Sequence, residues 1–88
     1  MRTPVLGARF KRDVKRMERR GKPMVKLRAA IALLLDQGEL PVPLQDHVLS
    51  GDWAHFRECH IEPDWLLIYK IDGPILHLVR TGTHSDLF

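Results

Sequence analysis

The chain has 88 residues, a length that gives a single domain, 1–88, and leaves no room for a second core. A chain this short buries only about 60% of its unfolded surface, so its core is thin and any cleft is shallow or shared, which disfavours a large cofactor-enclosing enzyme. With 44% hydrophobic and 28% charged residues it has the composition of a soluble globular domain, not of a disordered segment.

The longest apolar run, 29–35, is far shorter than the ~20 residues that span a bilayer, and no signal-peptide pattern opens the chain. A cytoplasmic protein without a membrane partner is expected. The single cysteine, Cys59, excludes an internal disulfide and a structural zinc site built on thiolates. The net charge of +3 conceals an asymmetry: residues 1–28 carry eleven basic side chains against two acidic ones, a local +9, whereas residues 29–88 carry three against nine, a local −6. A solvated helix ordinarily mixes signs. A segment so nearly of one sign repels itself and calls for a polyanionic partner, either nucleic acid or an acidic protein.

In chain order, residues 2–6 are compatible with a first strand, with Pro4 tolerable at an edge. Over 8–20 the apolar Phe10, Val14 and Met17 recur at helical spacing with basic residues on the other faces, and Gly21 stops the helix. Pro23 suits the first turn of a second helix, whose stripe is Met24, Leu27, Ile31, Leu34 and Leu35 and whose end is Gly38. The short connection makes the two an antiparallel hairpin. Pro41 and Pro43 give an extended connector over 39–44. The period then changes, predicting strands at 54–61, 65–71 and 75–80, joined by turns at 62–64 and 72–74. Short turns imply an antiparallel meander, hence an α+β domain in which an N-terminal helical hairpin packs on a twisted antiparallel β-sheet.

The chemistry-bearing side chains lie in the second half. His47 falls in a loop, His60 ends a strand, Asp64 and Trp65 open the next, and Arg80 and His84 close the last. The meander brings His60 and Asp64 together; His84 joins them if the last strand returns to that edge. His55 and His77 have nothing convergent around them.

Read together, DHVLSGDW (46–53), FRECHIEPDWLLIYK (56–70) and RTGTHSDLF (80–88), behind the basic helix ARFKRDVKRMERRG, resemble the YafQ branch of the RelE/ParE superfamily of bacterial toxin ribonucleases. The resemblance covers nearly the whole chain. It implies a toxin that cuts messenger RNA in the ribosomal A site and is silenced by an antitoxin encoded beside it, a small acidic protein, usually dimeric through a DNA-binding part. The matching functional positions are His47, His60, Asp64, Trp65, Arg80, His84 and Phe88, the last with the chain's carboxylate beside its ring.

RNA carries its own nucleophile, the 2′-hydroxyl, so cleavage needs a base, an acid for the departing 5′ oxygen and a cation for the phosphate, with no metal or other cofactor. The expected roles are His84 as general acid, His47 with Asp64 on the base side, His60 as an orienting or charge-stabilising group and Arg80 as phosphate clamp, with exchange of roles among the histidines open. Trp65 and Phe88 would stack on bases, Trp65 alternatively being simple packing. Lys11, Lys15 and Arg19 on the basic helix would dock ribosomal RNA. Two histidines and a carboxylate also suit a metal triad, a weaker reading because HxH and HxxxH spacings are missing. Two rival functions use the same fold and charge: a ParE-like, non-enzymatic gyrase inhibitor and a plain RNA-binding module. Three histidines and an aspartate around the sheet favour the ribonuclease. Outside the complex the toxin is expected to be monomeric.

Overall fold

A computed structural model describes residues 1–36, 47–49 and 51–88, with the side chains of His47 and Asp52 left outside that description. The extended connector expected over 39–44 and the helix end expected at Gly38 lie outside the described residues. The elements are β1 (Thr3–Leu6), α1 (Ala8–Arg19), α2 (Met24–Leu35), β2 (His47–Val48), a 3₁₀ turn (Gly51–Trp53), β3 (Arg57–Glu62), β4 (Trp65–Asp72), β5 (Ile75–Gly82) and α3 (His84–Leu87).

Gly21 ends α1 as the sequence suggests, and the geometry gives the reason. Its φ of 80° is a left-handed conformation that costs glycine little, and it lets the Gly21 and Lys22 amides donate to the Glu18 and Met17 carbonyls at 3.0 and 3.1 Å. Pro23 caps α2 from just outside its first turn. Each hairpin of the meander closes through a two-residue turn, Pro63–Asp64 and Gly73–Pro74, with Gly73 at φ 57° in the position where a hairpin favours glycine.

The sheet order is β1-β5-β4-β3-β2. The β2–β3, β3–β4 and β4–β5 pairings are antiparallel, whereas β1 pairs with β5 in parallel, making the sheet mixed. The helical hairpin carries the chain from β1 at one edge of the sheet to β2 at the other, and β5 comes to lie beside β1 only after the meander. The strand expected at 54–61 begins only at Arg57, because Ala54 and His55 form a turn with His55 at φ 76° and the Phe56 amide bonded to the Trp53 carbonyl at 3.0 Å. The last strand runs on to Gly82, and the short helix α3, absent from the periodicity, follows it.

The core has two faces. On one, Phe10 and Met17 of α1 and Leu27, Ala30 and Leu34 of α2 meet Cys59, Trp65, Leu67, Tyr69, Leu76 and Leu78. On the other, Leu66 and Ile68 are covered by Leu87 of α3 together with Leu49, Trp53, Phe56 and Val79. Residues Trp65 to Tyr69 of β4 are all buried, which explains why the central strand reads as an unbroken apolar run instead of an alternation.

Candidate active site

The second sheet face, capped by α3, carries the candidate site. His60 pairs across the sheet with Leu66 and therefore shares that residue's face. The His60 and His84 ring centroids are 6.1 Å apart, and His84 and Phe88 are 6.5 Å apart. The Trp53 and Phe88 ring centroids are 6.2 Å apart and those of Trp53 and Phe56 5.6 Å apart, both pairs in an edge-to-face arrangement. Lys70 Nζ stands 5.9 Å over the Phe56 ring.

His84 opens α3, and that helix is held in place by its own first turn. Thr83 caps it by accepting from the Asp86 amide at 3.2 Å, while the Asp86 carboxylate accepts from the Thr83 amide at 2.9 Å. A methyl group at Gly82 would lie 3.0 Å from the Asp86 carboxylate, so glycine there allows the reciprocal cap to close. Asp86 also accepts two hydrogen bonds from the Arg20 guanidinium, at 2.6 and 3.0 Å, and lies 3.7 Å from that of Arg16. Arg20 above all holds the Asp86 carboxyl far below the usual carboxylate range.

Asp64, in the β3–β4 turn, accepts from the backbone amide of His84 at 3.0 Å and lies 2.6 Å from its Nδ1. The backbone bond first and the ring second hold its carboxyl below its ordinary value. A carboxylate can only accept, so Nδ1 bears the proton shared with Asp64 and Nε2 is the ring nitrogen that Asp64 does not engage. Asp64 was expected to serve the base side with His47; it is His84 that it orients. The same turn is anchored by Glu62, which accepts from Lys22 and Lys26 at 3.1 Å each, and those two bonds lower its pKa.

Two further expectations are corrected. Trp65 is fully buried in the helix-side core, its indole N–H donating to Thr81 Oγ1 at 2.9 Å, so it packs and cannot stack on a base. The residues that sequence reasoning passed over are Trp53 and Phe56, aromatic on the face where Phe88 lies 60% exposed. Their signal was the GDW and F flanking the third strand. Arg80 gives its guanidinium to Asp13 of α1 at 2.6 and 3.2 Å, and this pair raises its pKa; its partner is a buried carboxylate and not the histidine cluster. Asp13 also accepts from the Thr81 amide at 3.2 Å.

The backbone of His47 pairs with Glu58, placing β2 at the sheet edge next to the strand of His60; its side chain lies outside the described residues. Lys11, Lys15 and Arg19 are exposed along one face of α1. Among the described residues, no group of three or more His, Cys, Asp and Glu side chains is gathered as a metal site would require.

The family model of the bacterial toxin of type II toxin-antitoxin systems, YafQ, matches residues 2–88. The mRNA interferase toxin YafQ of Escherichia coli K12 is 44% identical over 80 residues, covering 90% of this chain and 87% of the relative. The crystal structure of YafQ from E. coli BL21(DE3) superposes with a TM-score of 0.95 at 39% identity, covering 100% of this chain and 99% of the other. A chain from the crystal structure of the E. coli DinJ-YafQ toxin-antitoxin complex gives 0.91 at 41% identity, covering 99% and 97%.

Proposed function

The chain belongs to the YafQ family of bacterial toxins of type II toxin-antitoxin systems, and on that premise we propose that it is a cytoplasmic endoribonuclease that cuts messenger RNA on the ribosome. Cleavage proceeds by attack of the RNA's own 2′-hydroxyl, with histidines as acid and base and no metal ion. An acidic antitoxin, dimeric and DNA-binding, holds it silent.

The observation that carries this reading is the pairing of Asp64 with His84 Nδ1 beside His60 and Phe88. A base-side group, His47, takes the 2′-hydroxyl proton as the 2′ oxygen attacks phosphorus. The bond from phosphorus to the 5′ oxygen breaks, and His84, protonated at Nε2, passes its proton to that oxygen. Asp64 keeps the His84 ring oriented; His60, at the neighbouring position, stabilises charge on the phosphate. Phe88 stacks on a base of the unstacked strand.

Incubating the purified protein with a short RNA of defined sequence in EDTA tests the chemistry, and comparing that RNA free and on ribosomes at fixed Mg²⁺ tests the ribosome's part. The expected products carry 2′,3′-cyclic phosphate and 5′-hydroxyl ends. Loss of cutting of the isolated RNA in chelator, restored by a divalent ion, would overturn the metal-independent mechanism. Equal rates on free and ribosome-bound RNA would overturn ribosome dependence.

A further inference from the structure

Between α1 and β5 lies a depression of about 410 Å³ lined by Arg9, Arg12, Asp13, Arg16 and Arg80. Arg9, Arg12 and Arg16 stand three and four residues apart, so they share one face of α1, a different face from that of Lys11, Lys15 and Arg19. Arg80 enters from β5. Asp13, the one carboxylate in the lining, is buried and bonded to Arg80 and the Thr81 amide, so its charge is already matched from within. Of the four guanidinium groups in the concavity, that of Arg80 is bonded to Asp13 and that of Arg16 lies 3.8 Å from Asp13 and 3.7 Å from Asp86, which leaves Arg9 and Arg12 as the charges facing an incoming anion. Planar forks so arranged suit the oxygens of a phosphodiester, and the excess charge is unfavourable until an anion enters.

We propose that this concavity is a phosphate subsite for the substrate RNA strand, holding a phosphodiester beyond the one that is cut. The assignment rests on the ribonuclease reading above. Position favours the substrate over other polyanions. Arg16 lies 3.7 Å from Asp86, and Asp86 is two residues along the four-residue helix that His84 opens. The depression and the catalytic histidine therefore flank the same helix, opposite sides of which are about 10 Å apart. One RNA strand can touch both. Arg80 acts here, set in place by Asp13, and contributes to holding the strand without joining the histidines.

The test measures binding of a short 2′-O-methyl RNA, whose blocked nucleophile prevents cleavage, over a range of salt concentrations. The parent, an Arg9→Gln/Arg12→Gln double variant and Arg28→Gln, a charge control on α2, are compared. Arg9, Arg12 and Arg28 are exposed, and unchanged thermal melts would verify that the variants fold. Neutralising two phosphates fewer on a single strand should flatten the log–log salt dependence by about 1.4, equivalent to roughly tenfold weaker binding at 0.15 M salt when extrapolated from 1 M. Arg28→Gln should keep the parental slope. A double variant with the parental slope would overturn the subsite. So would a slope lost only with whole ribosomes, which would assign the concavity to ribosomal RNA, or a retained slope with weaker antitoxin capture, which would assign it to a protein. A parent that neither binds this RNA nor cuts its unmodified counterpart, whether free or on ribosomes, would instead defeat the ribonuclease reading itself.

Discussion

Asp64 has two-thirds of its side chain in solvent, at 66% relative exposure, yet both of its hydrogen bonds go to His84. Its value therefore lies in orientation more than in charge, since an exposed pair is screened. Asp64→Asn should lower the cleavage rate by about 10- to 100-fold, less than the ~10⁴ lost when a buried triad carboxylate is neutralised, with the fold retained. Single-turnover kinetics beside a urea melt would check both parts; a parental rate would show that His84 needs no orienting partner. His84→Ala should cost more, ~10² to 10⁴, the span for losing a general acid or base. Trp65 makes the opposite case. Trp65→Ala should destabilise the fold by about 3–5 kcal/mol, as removal of a buried aromatic does, so its loss of activity should track unfolding in urea. The closeness of His60, Asp64 and His84 was legible because the order of strands and turns brings those positions to one edge. Trp65 and Arg80 misled because an aromatic leading an apolar strand and a basic residue at a strand end look the same whether they face solvent or a partner. For Arg80 that partner, Asp13, is 67 residues away in sequence.

Helix α3 has only four residues, too few to persist in water unaided, so the position of His84 depends on what holds the helix. Leu87 anchors it to the second core, the Thr83–Asp86 cap closes its first turn, and Arg20 and Arg16 tie it to α1. Asp86→Ala should cost about 1–2 kcal/mol through the loss of the cap alone and should also displace His84, reducing activity in conditions where the protein remains folded. The folded-state pKa values of Asp86, Glu62 and Asp64 all lie below their unfolded ones, so the stability these carboxylates contribute is fully present above about pH 5 and is lost as pH falls through the lower folded values. Urea midpoints should accordingly vary little with these groups from pH 5 to 8 and fall in stronger acid, and Asp86→Asn should make that fall shallower. A fall as steep in the variant would place the acid-labile interaction elsewhere. Of the elements, α1, α2, β4 and β5 were legible from period and turn residues. Helix α3 was not, because one turn of helix shows no periodicity, and its signal is a cap whose closing carboxylate is also claimed by a distant arginine.

On the scale of the whole molecule, the +9 segment is partly matched from within. Arg16 and Arg20 face Asp86, Lys22 and Lys26 face Glu62, and Arg16 also lies 3.8 Å from Asp13. Much of the charge that reads as a call for a polyanion is therefore structural glue between the helical hairpin and the turn and helix bearing Asp64 and His84. The exposed remainder, including Lys11, Lys15 and Arg19, is what an outside partner meets. Reversing those three to Glu should weaken association with ribosomes and flatten its salt dependence by roughly 0.7–0.9 for each phosphate no longer neutralised, as ribosome pelleting across a salt series would show. A triple variant that pellets like the parent would leave that face to the antitoxin. An acidic antitoxin arm laid on the remaining basic surface would gain encounter rate from complementary charge and register from Arg–carboxylate forks. The toxin's thin core gives such an arm a second role, because a partner that binds only the folded state stabilises it increasingly as its concentration exceeds Kd. At a thousandfold excess the gain is about 4 kcal/mol, which for a domain of this size raises Tm by roughly 15–30 °C. The complex should therefore melt well above the isolated toxin, with hydrogen exchange slowed over α1 and α2 or over the sheet face bearing His60 and His84. An unshifted Tm, or protection confined to surfaces away from both, would show that the antitoxin silences this protein without covering either its docking charge or its histidines.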